Sequence, residues 1–251
     1  MEYSDVLRLI DDRAAAFRAA IADAPDLDAP VPSCPGWTLF DLAQHLGEGR
    51  RKWAAIAAAG PADAPPPKPV WESPAPRDRA ALLDWWDASA RQLVDALREA
   101  GPDRGCWSWW GRSQSPETTG AAARHQLQEI AVHTYDAQLT VGAPQPLPEE
   151  VALDGVDEFL ATCAATTVAW PHEPAVVDHH ATEGRSWRLF LNAEGARNTG
   201  STRHPAEAAD ASVEGTASDI VLLFYCRIPL DALKVEGDRR VLDQLIAWEP
   251  E

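Results

Sequence analysis

Residues 118–139 read TTGAAARHQLQEIAVHTYDAQL, a run long enough for about six helical turns. A loop rich in turn residues precedes the run, and Gly142 and Pro144 follow it, so we predict one helix between these limits. Glu129 and His133 stand four residues apart in this helix. They therefore project from one face, about 6 Å from each other along the axis.

Three further amphipathic helices are predicted before this one. Residues 4–24 place apolar side chains at three- and four-residue steps, Thr38 can cap a helix over residues 38–60, and a third helix covers residues 77–100. A Pro/Ala linker separates the second helix from the third, and Gly101 follows the third. Four helices with no strand between them are typical of a four-helix bundle.

The pattern changes after Pro148. A helix is predicted from residue 149 to about 169, strands over residues 186–194 and 211–217, and a closing helix over residues 239–248, while residues 218–228 fit either a helix or a strand. We therefore expect two domains, an all-α four-helix bundle over residues 1–148 and a smaller α+β domain over residues 149–251.

Charge and composition exclude several classes of protein. The 251 residues include 22 Lys+Arg and 39 Asp+Glu, a formal charge of −17, with no long basic cluster for nucleic acid. No apolar run reaches the roughly 18–20 residues that span a bilayer, and acids stand where a signal peptide has bases, so we expect a cytoplasmic protein without a membrane partner. The four scattered cysteines form no C-x-x-C pair, and we expect free thiols at Cys34, Cys106, Cys163 and Cys226.

Glu129 and His133 are candidate metal ligands. A carboxylate oxygen and an imidazole nitrogen each bind zinc at about 2.0–2.2 Å, so adjacent helical turns suit chelation. His45 is the candidate for a third ligand, because it lies mid-helix among apolar neighbours. His125 is set aside, since it precedes His133 by two turns, about 12 Å. Spacing alone leaves the alternatives open that Glu129 and His133 form a solvated surface pair and that His45 is an ordinary core or surface histidine.

Several segments resemble a known family. The strings CPGWTLFDLAQHL (34–46) and EIAVHTYDA (129–137) look like the two signature segments of the mycothiol-dependent maleylpyruvate isomerase family. Near the C-terminus, VEGTASDIVLL (213–223), RIPL (227–230) and VEGD (235–238) are similar to that family's smaller C-terminal domain. The resemblance covers nearly the whole chain. It implies a DinB-like bundle followed by a sterol-carrier-like domain.

The resemblance also implies a site. It matches His45, Glu129 and His133 to the family's zinc ligands, and Arg227 to a functional arginine of the C-terminal domain. It implies zinc, or another divalent metal, and mycothiol as a thiol cosubstrate. The chain departs from the family pattern at Thr134-Tyr135 and at Tyr225-Cys226, positions expected to line the pocket.

Three protein ligands leave a fourth metal position for a thiol or for water. The resemblance favours the thiol, whose addition to a cis double bond permits rotation and whose elimination returns the trans isomer. Isomerisation and S-transfer share this first step. The expected function is therefore a zinc-dependent, mycothiol-using isomerase or S-transferase acting on a small electrophile such as maleylpyruvate. The alternatives are a zinc hydrolase with metal-bound water and a non-catalytic metal- or ligand-binding module.

Roles for other residues stay open at this point. Arg227 either holds substrate carboxylates or a developing enolate, or forms a structural salt bridge. Asp136 either accepts the ring N–H of a ligand histidine or caps the helix end. The aromatic residues Trp107, Trp109 and Trp110 either line the pocket mouth or pack their loop.

Overall fold

The computed structural model describes residues 1–202 and 208–250. The chain divides into two compact units. Unit 1 contains residues 1–109 and 117–147, and unit 2 contains residues 110–116 together with the described residues from 148 onward. Autonomous folding of a bundle over residues 1–148 stays a prediction. The segment 110–116 belongs to unit 2 because Gln114 bonds there to Ala161 and Asn198.

Unit 1 is built from four long helices. They are α1 (Tyr3–Asp23), α2 (Leu39–Ala59), α3 (Arg79–Ala100) and α4 (Thr119–Thr140), and all four confirm the predicted helices to within two residues. Side chains fix three of the starting points, because Thr38, Asp78 and Thr118 each accept a hydrogen bond from a backbone N–H of the first turn.

The helices of unit 1 share one apolar core. Helix α2 packs against α3, α1 packs against α4, and further contacts join α1 to α3 and α2 to α4. Gly47 lies where the ring of Trp85 approaches α2, and a Cβ at this position would overlap that ring. The core includes the almost fully buried side chains of Ile10, Phe17, Leu39, Leu42, Ile56, Leu82, Leu93, Leu97 and Leu127.

Unit 2 contains a five-stranded mixed sheet. Its strands are β1 (Ala175–Ala181), β2 (Arg185–Asn192), β3 (Gly195–Thr202), β4 (Ala211–Gly215) and β5 (Lys234–Gly237). The spatial order is β3-β2-β1-β4-β5, with β1 and β4 parallel and the other neighbours antiparallel. The α+β character expected of the C-terminal part is confirmed.

Three helices complete unit 2. Helix α5 (Glu149–Phe159) packs against α6 (Ala217–Phe224), and both α6 and α7 (Arg239–Ala247) contact β1 and β4. The prediction of a helix to about residue 169 is wrong, because α5 passes into one π-helical turn that ends at Ala164. The ambiguous segment 218–228 is resolved in favour of a helix as far as Phe224.

Two further expectations concern the described residues as a whole. All four cysteines are free thiols, as predicted. Among residues 1–202 and 208–250, no helix is both long and apolar enough to cross a membrane.

Candidate metal centre

The three candidate ligands meet in unit 1. His45 comes from α2, and Glu129 and His133 come from successive turns of α4. The Nε2 atom of His45 lies 3.1 Å from Oε1 of Glu129, and Nε2 of His133 lies 3.8 Å from the same oxygen. One donor atom from each residue lies within 4.8 Å of the others. The sequence-predicted ligand set is therefore one cluster.

The geometry of this cluster fits a single divalent ion. Two atoms bound to one ion at about 2.0–2.2 Å can be at most about 4.4 Å apart, and both measured pairs lie inside that limit. Two imidazole nitrogens and one carboxylate oxygen are also the donor types that zinc accepts at sites with an open position. The cluster is reachable from solvent, since the side chains of His45, Glu129 and His133 are 41%, 28% and 11% exposed.

The Glu129 carboxylate is held in its charged form. Burial raises its pKa, but the hydrogen bond with His45 and the nearby His133 and His125 together lower the pKa to about 2. Glu129 is therefore ionised at neutral pH. An ionised carboxylate is the form that binds a metal ion.

Asp136 bonds to Nδ1 of His133, the ring nitrogen that does not face Glu129. Its Oδ2 atom lies 2.8 Å from Nδ1 of His133, while its other oxygen accepts a hydrogen bond of 2.6 Å from the hydroxyl of Ser33. The thiol of Cys34 also lies 3.5 Å from Oδ2. The side chain of Asp136 thus bonds to the histidine. The Nε2 atom of His133 is left to face Glu129.

A second group of donors shares His133. Cys34, His133 and Asp136 also bring potential ligand atoms within 4.8 Å of one another. Within this group, Nδ1 of His133 is already bonded to Asp136. The group at His45, Glu129 and His133 is the better metal candidate, because it leaves that hydrogen bond intact.

Trp37 forms an aromatic wall beside the cluster. Its ring lies 4.8 Å from the ring of His45 and 6.4 Å from that of His133, centroid to centroid. The loop before α2 places Trp37 there, since Val31 and Trp37 pair through a backbone hydrogen bond of 2.9 Å. The indole limits the ring orientations open to both histidines.

A cavity of about 280 Å³ adjoins the cluster and includes His45 and Glu129 in its lining. Lys52 contributes a cation, Trp53 and Trp71 contribute aromatic surface, and Gln126 contributes an amide. The Lys52 ammonium makes no ion pair with a described residue, and it lies 5.5 Å from the ring centroid of Trp107. Glu48 also lines the cavity.

We did not predict Lys52, Trp53, Trp71 or Gln126 from the sequence. Helical spacing was the signal that could have indicated Lys52 and Gln126. Lys52 follows His45 by seven residues, which is two helical turns, so both project from the same face of α2. Gln126 likewise precedes Glu129 by three residues on α4. Trp71 comes from the linker, and no helical spacing connects it to the candidate ligands.

Other sequence candidates lie outside the cluster. His125 is not part of the donor set, and its ring packs 5.5 Å from that of Trp109. Trp109 is half exposed, Trp110 is buried, and Trp107 packs 6.4 Å from Trp53. None of these three loop tryptophans lines the 280 Å³ cavity.

Arg227 lies in unit 2, three residues after α6 ends. Its guanidinium donates a hydrogen bond of 2.6 Å to the carbonyl oxygen of Tyr225, and the side chain is partly exposed. Its backbone N–H bonds to Leu222, which fixes the turn. The catalytic role of Arg227 stays a prediction.

Two family models match this chain. The model of the mycothiol maleylpyruvate isomerase N-terminal domain matches residues 7–138, and the model of the corresponding C-terminal domain matches residues 150–244. The chain belongs to this family. Both halves of the mycothiol maleylpyruvate isomerase architecture are therefore present, in the family's order.

Two solved structures share the fold of this family member. One is a mycothiol-dependent maleylpyruvate isomerase, with 15% identity and a TM-score of 0.58. The other is a single-residue variant of a mycothiol-dependent maleylpyruvate isomerase, with 14% identity and a TM-score of 0.60. Each alignment covers 95% of both chains. A search among curated proteins gives no significant match.

Proposed function

We propose that this protein is a metal-dependent enzyme that uses mycothiol either to isomerise a small electrophilic substrate such as maleylpyruvate or to attach the intact thiol to it through a new C–S bond. Family membership supports the thiol and the substrate class. The observation that carries the proposal is the convergence of His45, Glu129 and His133, with Asp136 bonded to the far side of His133. Zinc is the proposed metal, because two imidazoles and one carboxylate are its usual donors at catalytic sites.

The metal and the thiol supply the reactive chemistry when bound, since a divalent ion lowers the pKa of a coordinated thiol and the resulting thiolate is the nucleophile. The chain's own residues prepare the site. Asp136 holds His133 with Nε2 toward Glu129, and Trp37 restricts the rings of His45 and His133. The ligand atoms are thereby preorganised.

Lys52 is the proposed binding group for a substrate carboxylate. It is a partly buried cation without an ion-pair partner among the described residues, and it lines the same cavity as His45 and Glu129. An ammonium binds a carboxylate through a charge-assisted hydrogen bond. Trp53 and Trp71 cover the remaining apolar surface of the cavity, which limits the water around a bound acid.

Arg227 is proposed as the catalytic residue of the C-terminal part. Its Nη1 atom bonds to the carbonyl oxygen of Tyr225, which holds the guanidinium close to its own turn while leaving part of it exposed. A guanidinium so fixed can stabilise negative charge on a carboxylate or an enolate.

The cytoplasmic location of the protein also stays a prediction.

The test is turnover of maleylpyruvate by the purified protein, with and without mycothiol, together with metal analysis. We expect about one divalent ion per chain and turnover that depends on both metal and thiol. His45→Ala, Glu129→Ala and His133→Ala should each lose metal and activity together. His125→Ala is the matched control, because it removes a neighbouring histidine of α4 that lies outside the donor set, and it should keep the metal.

Three results would count against the proposal. Equal turnover without thiol would indicate a hydrolase that uses metal-bound water. Binding of thiol and acid without turnover would indicate a ligand-binding module. Stoichiometric metal in all three ligand variants would place the metal elsewhere.

A further inference from the structure

Unit 2 contains a cavity of about 230 Å³ between one face of the sheet and its helices. His179 of β1, Leu189 of β2 and Val213 of β4 line it from the sheet. Leu160 and Phe224 are among the residues that line it from the helical side. The cavity shares no lining residue with the cluster of unit 1.

The lining of this cavity is mostly apolar. It includes no Lys, Arg, Asp or Glu from the described part of the chain, so an ionised ligand would find no countercharge in the wall. Burying an unpaired charge is strongly unfavourable. The cavity therefore favours a neutral ligand.

His179 is a buried polar residue in this lining. It is 2% exposed, and its Nδ1 atom is buried with no hydrogen-bond partner among the described residues. Burial lowers its pKa to about 4, the nearby Asp178 opposing this shift, so the ring is neutral at pH 7. The ring of Phe224 packs edge-on against it, with centroids 5.1 Å apart. Buried polar atoms are normally hydrogen-bonded. We therefore expect a bound molecule to supply the hydrogen bond that this imidazole lacks.

We propose that this cavity binds a small neutral molecule with a one-ring apolar body and a single hydroxyl group, which pairs with the imidazole of His179. A hydroxyl both donates and accepts, so it suits either tautomer of the ring. The volume supports the size, because a dry apolar cavity of about 150 Å³ already holds benzene. A ring with a short alkyl chain fits the larger space.

This ligand differs in kind from the acid of the proposed function. The cavity next to His45 offers Lys52 to a carboxylate, whereas the cavity at His179 offers a neutral imidazole in a mostly apolar, uncharged wall. The inference stands on unit 2 alone and does not depend on the thiol chemistry.

Calorimetric titration of the full-length protein with three probes tests the inference. The probes are 4-propylphenol, propylbenzene and 4-propylbenzoate, which share one apolar body and differ in the polar group. We expect 4-propylphenol to bind at least tenfold more tightly than propylbenzene, and 4-propylbenzoate to bind most weakly. Equal affinity for the phenol and the hydrocarbon, or tighter binding of the benzoate, would overturn the proposal.

A matched pair of variants locates the hydroxyl. His179→Phe should lower the affinity for 4-propylphenol to that for propylbenzene. His180→Phe is the control, because His180 is the next residue of β1, points to the opposite face of the sheet and bonds to Ser186 at 2.8 Å. It should leave both affinities unchanged, and equal losses in the two variants would contradict the assignment.

Two more measurements keep the test decisive if His179→Phe does not fold. Ala164→Phe places a ring in the lining of the cavity and should abolish binding of both neutral probes. In the unmodified protein, the imidazole ¹⁵N signals of His179 should shift with 4-propylphenol and much less with propylbenzene. Binding of the neutral probes to Ala164→Phe would overturn the proposal. So would imidazole ¹⁵N signals of His179 that do not shift when 4-propylphenol is added.

Discussion

The Nδ1 atom of His133 lies 2.8 Å from Oδ2 of Asp136, a carboxylate with no exposed surface. Ser33 bonds to the other carboxylate oxygen, so the acid is fixed from two sides. An imidazole that donates from Nδ1 to a carboxylate presents the lone pair of Nε2. The pair therefore sets both the tautomer and the direction of this candidate metal ligand.

Asp136→Asn should weaken metal binding about 10–100-fold, because the amide removes the negative charge behind the histidine and no longer enforces its tautomer. Competition with a chromophoric chelator measures the affinity. Ser33→Ala is the milder control, since it removes one hydrogen bond to the carboxylate and keeps its charge. If Asp136→Asn bound metal as tightly as the unmodified protein, Asp136 would serve packing only.

Helical spacing is local and therefore predicts the pair of Glu129 and His133, whereas the family resemblance supplies the assignment of the whole candidate set with His45. Glu129 and His133 share a face wherever α4 lies, and the apolar neighbours of His45 indicate that its helix packs against others. Asp136 could not be assigned in the same way. Whether its side chain turns to the histidine or to the helix end depends on Ser33, which is 103 residues away in the sequence.

Gly47→Ala should destabilise the protein by about 1–3 kcal/mol, because a Cβ at Gly47 would overlap the ring of Trp85 and force α2 and α3 apart. Gly49→Ala lies on the same helix, and its Cβ would meet nothing within 4 Å. That control should stabilise α2 by about 0.5–1 kcal/mol. Urea unfolding measures both, and a loss of stability in Gly49→Ala as large as that in Gly47→Ala would contradict the packing argument.

Lys52→Met should raise KM for a carboxylate substrate by about tenfold and change kcat less, since the ammonium is proposed to bind the acid and not the reacting atoms. Arg51→Met is the matched control. It also removes one positive charge from α2, but Arg51 bonds to Ser89 at 2.8 Å and is not part of the cavity lining. An unchanged KM in Lys52→Met, or the same increase in both variants, would exclude Lys52 as the carboxylate group.

The sheet was only partly predictable, and two strands show why. Strand β1 reads AVVDHHA and is buried on both faces, with Asp178 paired to Arg188 and His179 facing apolar neighbours, so its sequence shows no clean alternation. Strand β3 reads GARNTGST and is an edge strand held by pairing with β2. In both strands tertiary contacts outweigh the local pattern.

Arg227→Ala should lower kcat/KM for maleylpyruvate about 100-fold or more while the metal content stays the same, because losing one charge-stabilising donor typically costs about 2.7–4 kcal/mol in the transition state. Arg239→Ala is the control in the same unit, since Arg239 is an exposed arginine that pairs with Asp231 and Asp243, and it should leave the kinetics unchanged. Metal analysis separates this role from that of His45, Glu129 and His133, whose variants should lose metal and activity together. Unchanged kinetics in Arg227→Ala would leave its hydrogen bond to Tyr225 as a structural contact of the turn after α6, and the chemistry would then rest on the residues of unit 1.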